Sequence, residues 1–262
     1  MPQSHTTAST LHHAAADGYL TAADSYVRGR PDYPPEITAW LRDTLGLTAG
    51  KTVVDLGAGT GKFTPRLVAT GAKVIAVEPV APMLARLSDA LPQVEALSGT
   101  ATAMSLPDAS VDAVVCAQAF HWFATAEALS EIRRVLKPGG QLGLVWNMRD
   151  ARLDWVAQLD RIVNQAEGDA PRYYTGAWRK VFPAAGFGPL QEQHFSHGHH
   201  GAVEDVILHR VRSTSFIAAL AAPERAKIED QVRALIAATP ALRGKESLTV
   251  PYTTAAFNAV KR

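Results

Sequence analysis

The stretch Asp55-Leu56-Gly57-Ala58-Gly59-Thr60-Gly61-Lys62-Phe63 sets glycines at alternate positions directly after a short apolar run. Glycines there permit a tight turn and let a ligand approach bare backbone. The helix that follows offers free N–H groups and the positive end of its dipole. A dinucleotide loop, G-x-G-x-x-G, would need glycine at position 62, where Lys62 stands; the spacing here is G-x-G-x-G. A phosphate loop needs Gly-Lys-Ser/Thr after a longer gap, and that is absent. The bland alternative is a plain glycine turn. Glu78 adds weight to a ligand, because it ends the next apolar run, Val74–Val77, 21 residues beyond Gly57. A carboxylate at that strand end can accept both hydroxyls of a ribose, although a glutamate there can also be merely solvated.

A second group of residues could serve a reacting partner. Gln118-Ala119-Phe120-His121-Trp122-Phe123 follows the apolar run Asp112–Ala117, and Trp146-Asn147 ends the run from Leu142. His121 is the leading candidate for a base or an acceptor-orienting group, since an ordinary imidazole titrates near neutrality. The alternative is that it only packs and hydrogen-bonds. Tyr19, Tyr26, Arg30 and Tyr33 lie in an N-terminal segment shaped by Pro31, Pro34 and Pro35. An arginine there can grip a carboxylate with two bonds while tyrosines close over the site; a surface strap is the plainer reading. Trp155, Tyr173, Tyr174 and Trp178 could wall an apolar acceptor pocket or simply form the core of their own region. Arg149 or Arg152 could clamp an acidic acceptor. His194, His197, His199 and His200 suggest a metal, but no acidic or cysteine partner is arranged nearby, so none is expected.

Strands must hold these groups at their ends. Thr52–Leu56, Val74–Val77, Asp112–Ala117 and Leu142–Trp146 read as buried strands, separated by helical stretches such as Pro82–Leu91 and Thr125–Leu136. Lys137-Pro138-Gly139-Gly140 stops the second of these and turns into the next strand. This alternation means βαβ units and a mostly parallel sheet covered on both faces. A helix from Glu36 to Leu45 precedes it. After Asn147 the pattern changes: Ala151–Glu167, Ala202–Leu220 and Pro223–Ala238 look helical, whereas Pro189–His197 and Ser247–Asn258 look like strands. The expected organisation is a lid segment over 1–35, a core over 36–150, and cap helices plus closing strands of the same domain over 151–262.

Composition narrows the class. The chain has 262 residues, 47% of them hydrophobic and 19% charged, which suits a globular core and not a disordered chain. The net charge of +1 argues against a dedicated nucleic-acid binder. The single cysteine, Cys116, excludes an intrachain disulfide and a cysteine-rich zinc site. Neither a secretory leader nor an apolar run of membrane-spanning length is evident, so the expectation is a cytoplasmic protein.

The motifs together resemble the class I S-adenosylmethionine-dependent methyltransferases. The likeness rests on Val54–Gly61, Val77-Glu78-Pro79, Leu106-Pro107-Asp108 and Glu131–Gly140, and it covers about residues 50–147. A narrower likeness lies in Tyr26–Pro34, Gln118–Phe123 and Leu144–Asn147. It is similar to a bacterial small-molecule subgroup that includes trans-aconitate-type carboxyl methyltransferases and enzymes methylating indole C3 of tryptophan-containing cyclic dipeptides.

The resemblance implies a Rossmann-like α/β fold with seven strands in the order 3-2-1-4-5-7-6, the seventh antiparallel. It implies S-adenosyl-L-methionine as cofactor. Gly57, Ala58, Gly59 and Gly61 would face its methionine part, with Asp55 ordering the loop. Tyr26, Arg30 and Gln118 would join them, Glu78 would hold the ribose, Met83 would pack on the adenine, and Ala101 and Thr102 would meet the adenine edge. Many relatives carry an acidic residue where Thr100 or Thr102 stands. His121 and Tyr26 would act at the methyl, and Tyr19, Tyr33, Trp122, Asn147 and Trp155 at the acceptor. The expected reaction is methyl transfer to a small aromatic or apolar metabolite of secondary metabolism, with indole C3 as the named case. Carboxyl O-methylation of a small organic acid is the alternative, and a nicotinamide-dependent oxidoreductase, opposed by Lys62, the more distant one.

Overall fold

A computed structural model of the chain describes residues 29–262. Tyr19, Tyr26 and the rest of the expected lid up to residue 28 lie outside the described residues. The strands are β1 (Thr52–Leu56), β2 (Lys73–Val77), β3 (Glu95–Leu97), β4 (Val111–Ala117), β5 (Leu136–Arg149), β6 (Gln191–Ala202) and β7 (Ser247–Val260). They form one sheet in the order β3-β2-β1-β4-β5-β7-β6, parallel through β5 and with β7 antiparallel to both its neighbours. The fold is therefore the Rossmann-like α/β sheet that the motifs imply.

Alternation along the strands assigns the layers. On β1, Val54 and Leu56 face a core that contains Leu129, Ile132 and Val135 of one helix, α4 (Ala126–Val135). Val53 faces the opposite core, with Ile37, Trp40 and Leu41 of α1 (Glu36–Asp43), Leu67 of α2 (Thr64–Val68) and Leu87 of α3 (Ala81–Ala90). Burial of these aliphatic and aromatic groups is what fixes the register, since a one-residue slip would exchange the two faces. A third cluster joins α5 (Asp154–Asn164), a turn of π-helix at Glu204–His209, α6 (Ala222–Ala238) and the start of β7.

The elements differ from the sequence reading in three places. The third strand that the resemblance implies, β3, has no apolar run to mark it, because it is short and has no fully buried residue. Lys137–Gly140 does turn, but inside β5. Leu136 already pairs with Val111, and the ladder resumes at Gln141 opposite Ala113, so the four residues bulge out of the sheet. Finally, Ala202–Leu220 is not one helix. β6 runs on to Ala202, where Gly198 passes so close to β7 that a Cβ would lie 2.3 Å from Thr249 Cγ2. The π-helical turn, Arg210–Arg212 and Ser215–Ala218 then follow as separate pieces.

Candidate active site

Two adjoining cavities open at the carboxyl ends of β1, β2, β4 and β5, where ligands bind in sheets of this kind. The outer one is built from the glycine loop. Gly57 and Ala58 donate their amides to the Val77 carbonyl at 2.8 and 3.3 Å, tying the loop to the end of β2. Gly57 has φ +71°, and a Cβ there would sit 2.7 Å from that of Ala119. Gly59, at φ +58°, donates its amide to Glu78 Oε2 at 2.9 Å, and Val80 donates to Oε1 at 3.0 Å. Both oxygens of Glu78 are thus aimed by backbone and keep lone pairs for a further donor. Burial raises its pKa, opposed by those two amide bonds.

Asp55 lies beneath, buried, accepting from Thr64 Oγ1 at 2.7 Å. Its other oxygen has no hydrogen-bond partner, and burial pushes its carboxyl up to about 7. The expectation that Asp55 orders the loop is corrected in this respect: its bond goes to the start of α2, and the loop amides are held by Val77. Met83, Ala101 and Thr102 line the same cavity on the β2–β3 side. Gly61 does not. At φ +84°, a Cβ on it would meet Leu87 at 3.0 Å, so its role is to let α3 pack against the loop.

The strap at residues 29–35 closes one side of the cavity. Arg30 donates to the Ser213 carbonyl at 2.8 Å, and Arg66 donates to the Tyr33 carbonyl at 2.5 Å and to Asp32 at 3.0 Å. Tyr33 is buried edge-on against Phe63 and lines the outer cavity only. Gly29 presses on the π-helical turn: a Cβ would stand 2.3 Å from the backbone of His209 and Arg210. Asn147 is a clamp as well as a lining residue. Its Nδ2 donates to the Asp32 carbonyl at 3.1 Å, its Oδ1 accepts from Thr254 at 2.5 Å, and its backbone oxygen accepts from Gln118 Nε2 at 2.9 Å. Gln118 holds φ +57°, a costly conformation for a side-chain-bearing residue of the kind that clusters at functional sites.

Arg30, Gln118, Trp122, Asn147 and Arg210 border both cavities. The inner one adds His121, Arg149, Arg172 and the aromatic rings of Trp146, Tyr173 and Tyr174. Arg149 has a nearly buried side chain paired with Asp160 at 2.5 Å, while its Nη1 has no hydrogen-bond partner. Arg172 lies 3.5 Å from Glu167 and 4.9 Å over the Phe216 ring. Arg210 donates to Thr214 at 3.1 Å and leaves its Nε unpartnered. Burial lowers the Arg210 pKa to about 10, with Arg30 adding to the effect, and burial lowers that of Arg172 too.

Trp146 Nε1 donates to His121 Nδ1 at 3.0 Å. Burial, then the charges of Arg172 and Arg30, hold His121 down to about 3. The ring is therefore neutral at neutral pH, with its Nδ1 lone pair already engaged by the indole. Three other candidates line neither cavity. Trp155 packs on the cap cluster and lines neither cavity. Trp178 is core, its ring tilted against that of Trp146 with centres 4.5 Å apart. Arg152 is exposed and paired with Asp150. His197 and His199 border Tyr252 at 5.7 and 6.3 Å ring separation, and among the described residues no three metal-ligating side chains converge. The inner-cavity arginines 172 and 210 went unnoticed in the sequence. Their one signal is an arginine next to His209 in the mostly apolar run Val206–Val211, and another beside Tyr173-Tyr174.

Comparison with known proteins agrees with this geometry. The family described as "Methyltransferase domain" matches residues 54–144. An uncharacterized methyltransferase of Mycobacterium tuberculosis is 44% identical over 239 residues, covering 91% of this chain and 93% of that protein. This chain belongs to the methyltransferase family. A methyltransferase-like protein of Schizosaccharomyces pombe is 39% identical over 245 residues, 93% of this methyltransferase and 95% of the yeast protein. Among solved structures, the YcgJ protein of Bacillus subtilis superposes with a TM-score of 0.58 at 20% identity, covering 87% of this methyltransferase and 98% of that chain.

Proposed function

We propose that this methyltransferase moves the methyl group of S-adenosyl-L-methionine onto a carboxylate oxygen of a small organic acid. The residues of the outer cavity suit that cofactor. Glu78 presents two amide-anchored oxygens to a ribose, and Met83, Ala101 and Thr102 offer the adenine an apolar and backbone surface. Gly57, Ala58 and Gly59 line the cavity with backbone for the methionine part, and Arg30 offers a cation to its carboxylate. When bound, the cofactor supplies an electrophilic sulfonium methyl.

The observation that carries the acceptor class is the guanidinium lining of the inner cavity. Arg149, Arg172 and Arg210 are desolvated there, and Arg149 and Arg210 keep unpartnered nitrogens. Asp160 and Glu167 already face Arg149 and Arg172, but a neutral indole would leave Arg210 Nε and Arg149 Nη1 buried without a partner, whereas an acid would engage them. The aromatic rings of Trp146 and Tyr173 offer an apolar or unsaturated carbon frame a wall to lie against. A carboxylate oxygen also arrives already deprotonated, so the depressed pKa of His121 is no handicap. What the protein must do is hold oxygen and methyl in line and keep water out. The strap, clamped by Asn147, Arg66 and the Ser213 carbonyl, serves the second need.

Two measurements test the reading. Calorimetry should show S-adenosyl-L-methionine binding. Methyl transfer from labelled cofactor, run against panels of small carboxylic acids and of indoles, should give base-labile methyl esters. Transfer to indoles with none to acids would overturn the acceptor class and leave the cofactor assignment standing.

A further inference from the structure

We infer that His121 is a hydrogen-bond donor to the bound acid, and that Trp146 is the positioning residue that fixes it in that role. The inference rests on the acid-methylating reading above for its ligand, but not for its geometry.

An indole N–H can only donate. Trp146 Nε1 lies 3.0 Å from His121 Nδ1, so Nδ1 must offer its lone pair. A neutral imidazole has one ring proton, which leaves it on Nε2. Trp146 cannot easily turn away. It is fully buried, with Trp178 at 4.5 Å, Tyr173 at 5.1 Å and Phe257 at 5.7 Å between ring centres. The His121 ring is flanked on its other side by Trp122 at 5.3 Å.

The charges around the ring favour the same state. His121 borders the inner cavity together with Arg149, Arg172, Arg210 and Arg30. The carboxylates nearest those arginines, Asp160 and Glu167, are engaged with Arg149 and Arg172. A proton added to the imidazole would meet cations and lose the indole bond at once. A donated Nε2–H meets no such penalty and adds what guanidiniums arranged around an anion lack, a single fixed direction. Sequence reasoning gives His121 the role of base or orienting group; the indole bond selects the second.

The test is long-range proton–nitrogen NMR on the full chain labelled at histidine nitrogen. His121 should show the Nε2–H tautomer alone, without titration between pH 5 and pH 8. An Nδ1–H pattern, or a midpoint near the ordinary histidine value, would overturn the inference without touching the proposed reaction. With S-adenosylhomocysteine present and succinate as the probe acid, the Nε2–H resonance should shift. Succinate that binds by calorimetry yet leaves that resonance in place would also overturn it. His121→Gln, which keeps an N–H donor, should retain succinate affinity within about threefold, while His121→Ala loses roughly tenfold or more, the scale of a charge-assisted hydrogen bond. Equal losses in both variants would count against a donor. Trp146→Phe should give a mixture of the two tautomers; an unchanged tautomer would show that something other than the indole sets it. Should that variant not fold, the unmodified protein still decides the question.

Discussion

The two cavities are made in different ways. The outer one is local and made largely of backbone: a loop between β1 and α2, two carboxylates at adjacent strand ends, and the turn after β3. The inner one is assembled from distant side chains, with His121 after β4, Arg149 at the end of β5, Arg172 in the connection after α5, and Arg210 beyond the π-helical turn. The first is a rigid cradle whose specificity is in φ angles and amide directions. The second is a charged chamber whose specificity is in side chains that the cap can exchange while the sheet stays as it is. A shared donor with changeable acceptors is the division of labour this arrangement permits.

That contrast can be broken or sharpened by substitution. The largest effect should come from Gly59→Val. A β-branched residue at φ +58° is strained and fills the cradle, so S-adenosyl-L-methionine binding should fall below detection in calorimetry, with the far-ultraviolet circular dichroism unchanged. Glu78→Ala should weaken the cofactor by about 1.5–3 kcal/mol, the scale of charged hydrogen bonds, and leave the acceptor KM alone. An unaltered cofactor Kd in the folded variant would remove Glu78 from the cofactor site. Arg172→Met should do the reverse. The kcat/KM for an acid acceptor should drop roughly five- to thirtyfold, about 1–2 kcal/mol, because Arg149 and Arg210 share the charge, while cofactor Kd stays constant. A change in cofactor Kd alone would show that the two cavities are not divided in this way.

The last effect is one of pH, read in stability and not in binding. Asp55 has its carboxyl raised by burial to about 7, above its ordinary value. Its contribution to stability is therefore full below about pH 4 and is lost as pH rises through 7. His121, held down to about 3, has the opposite sign: its contribution is present above its ordinary pKa and is lost as pH falls from there towards 3. Asp55→Asn should remove the first slope only. Melting temperature measured from pH 4 to pH 8 should then fall less towards high pH in the variant than in the parent. Parallel curves would mean that Asp55 ionises in the folded protein as it does unfolded.

How much could be read beforehand follows the same divide. The glycine loop, Glu78 and the strand runs around them are legible because their meaning is local: a glycine at a strand end and an acid at the next require no knowledge of the rest of the chain. Gly61 misleads because a close packing contact with Leu87 and a ligand contact demand the same residue type. His121 lines the inner cavity, but its hydrogen bonding depends on Trp146, 25 residues away in sequence and on β5. Arg172 and Arg210 carry no spacing rule at all; only the folding of the cap over the sheet brings them beside Arg149. Trp155 shows the converse, an aromatic of the right region whose side chain turns into the cap's own core.

The side chains that border both cavities are Arg30, Gln118, Trp122, Asn147 and Arg210. Among the described residues, none of these five is a nucleophile suited to carry a methyl group in transit. Donor and acceptor must therefore reside on the enzyme together. In kinetic language the proposed reaction is a sequential one through a ternary complex, and the expected outcome is that double-reciprocal plots of initial rate intersect, not run parallel as in a ping-pong scheme.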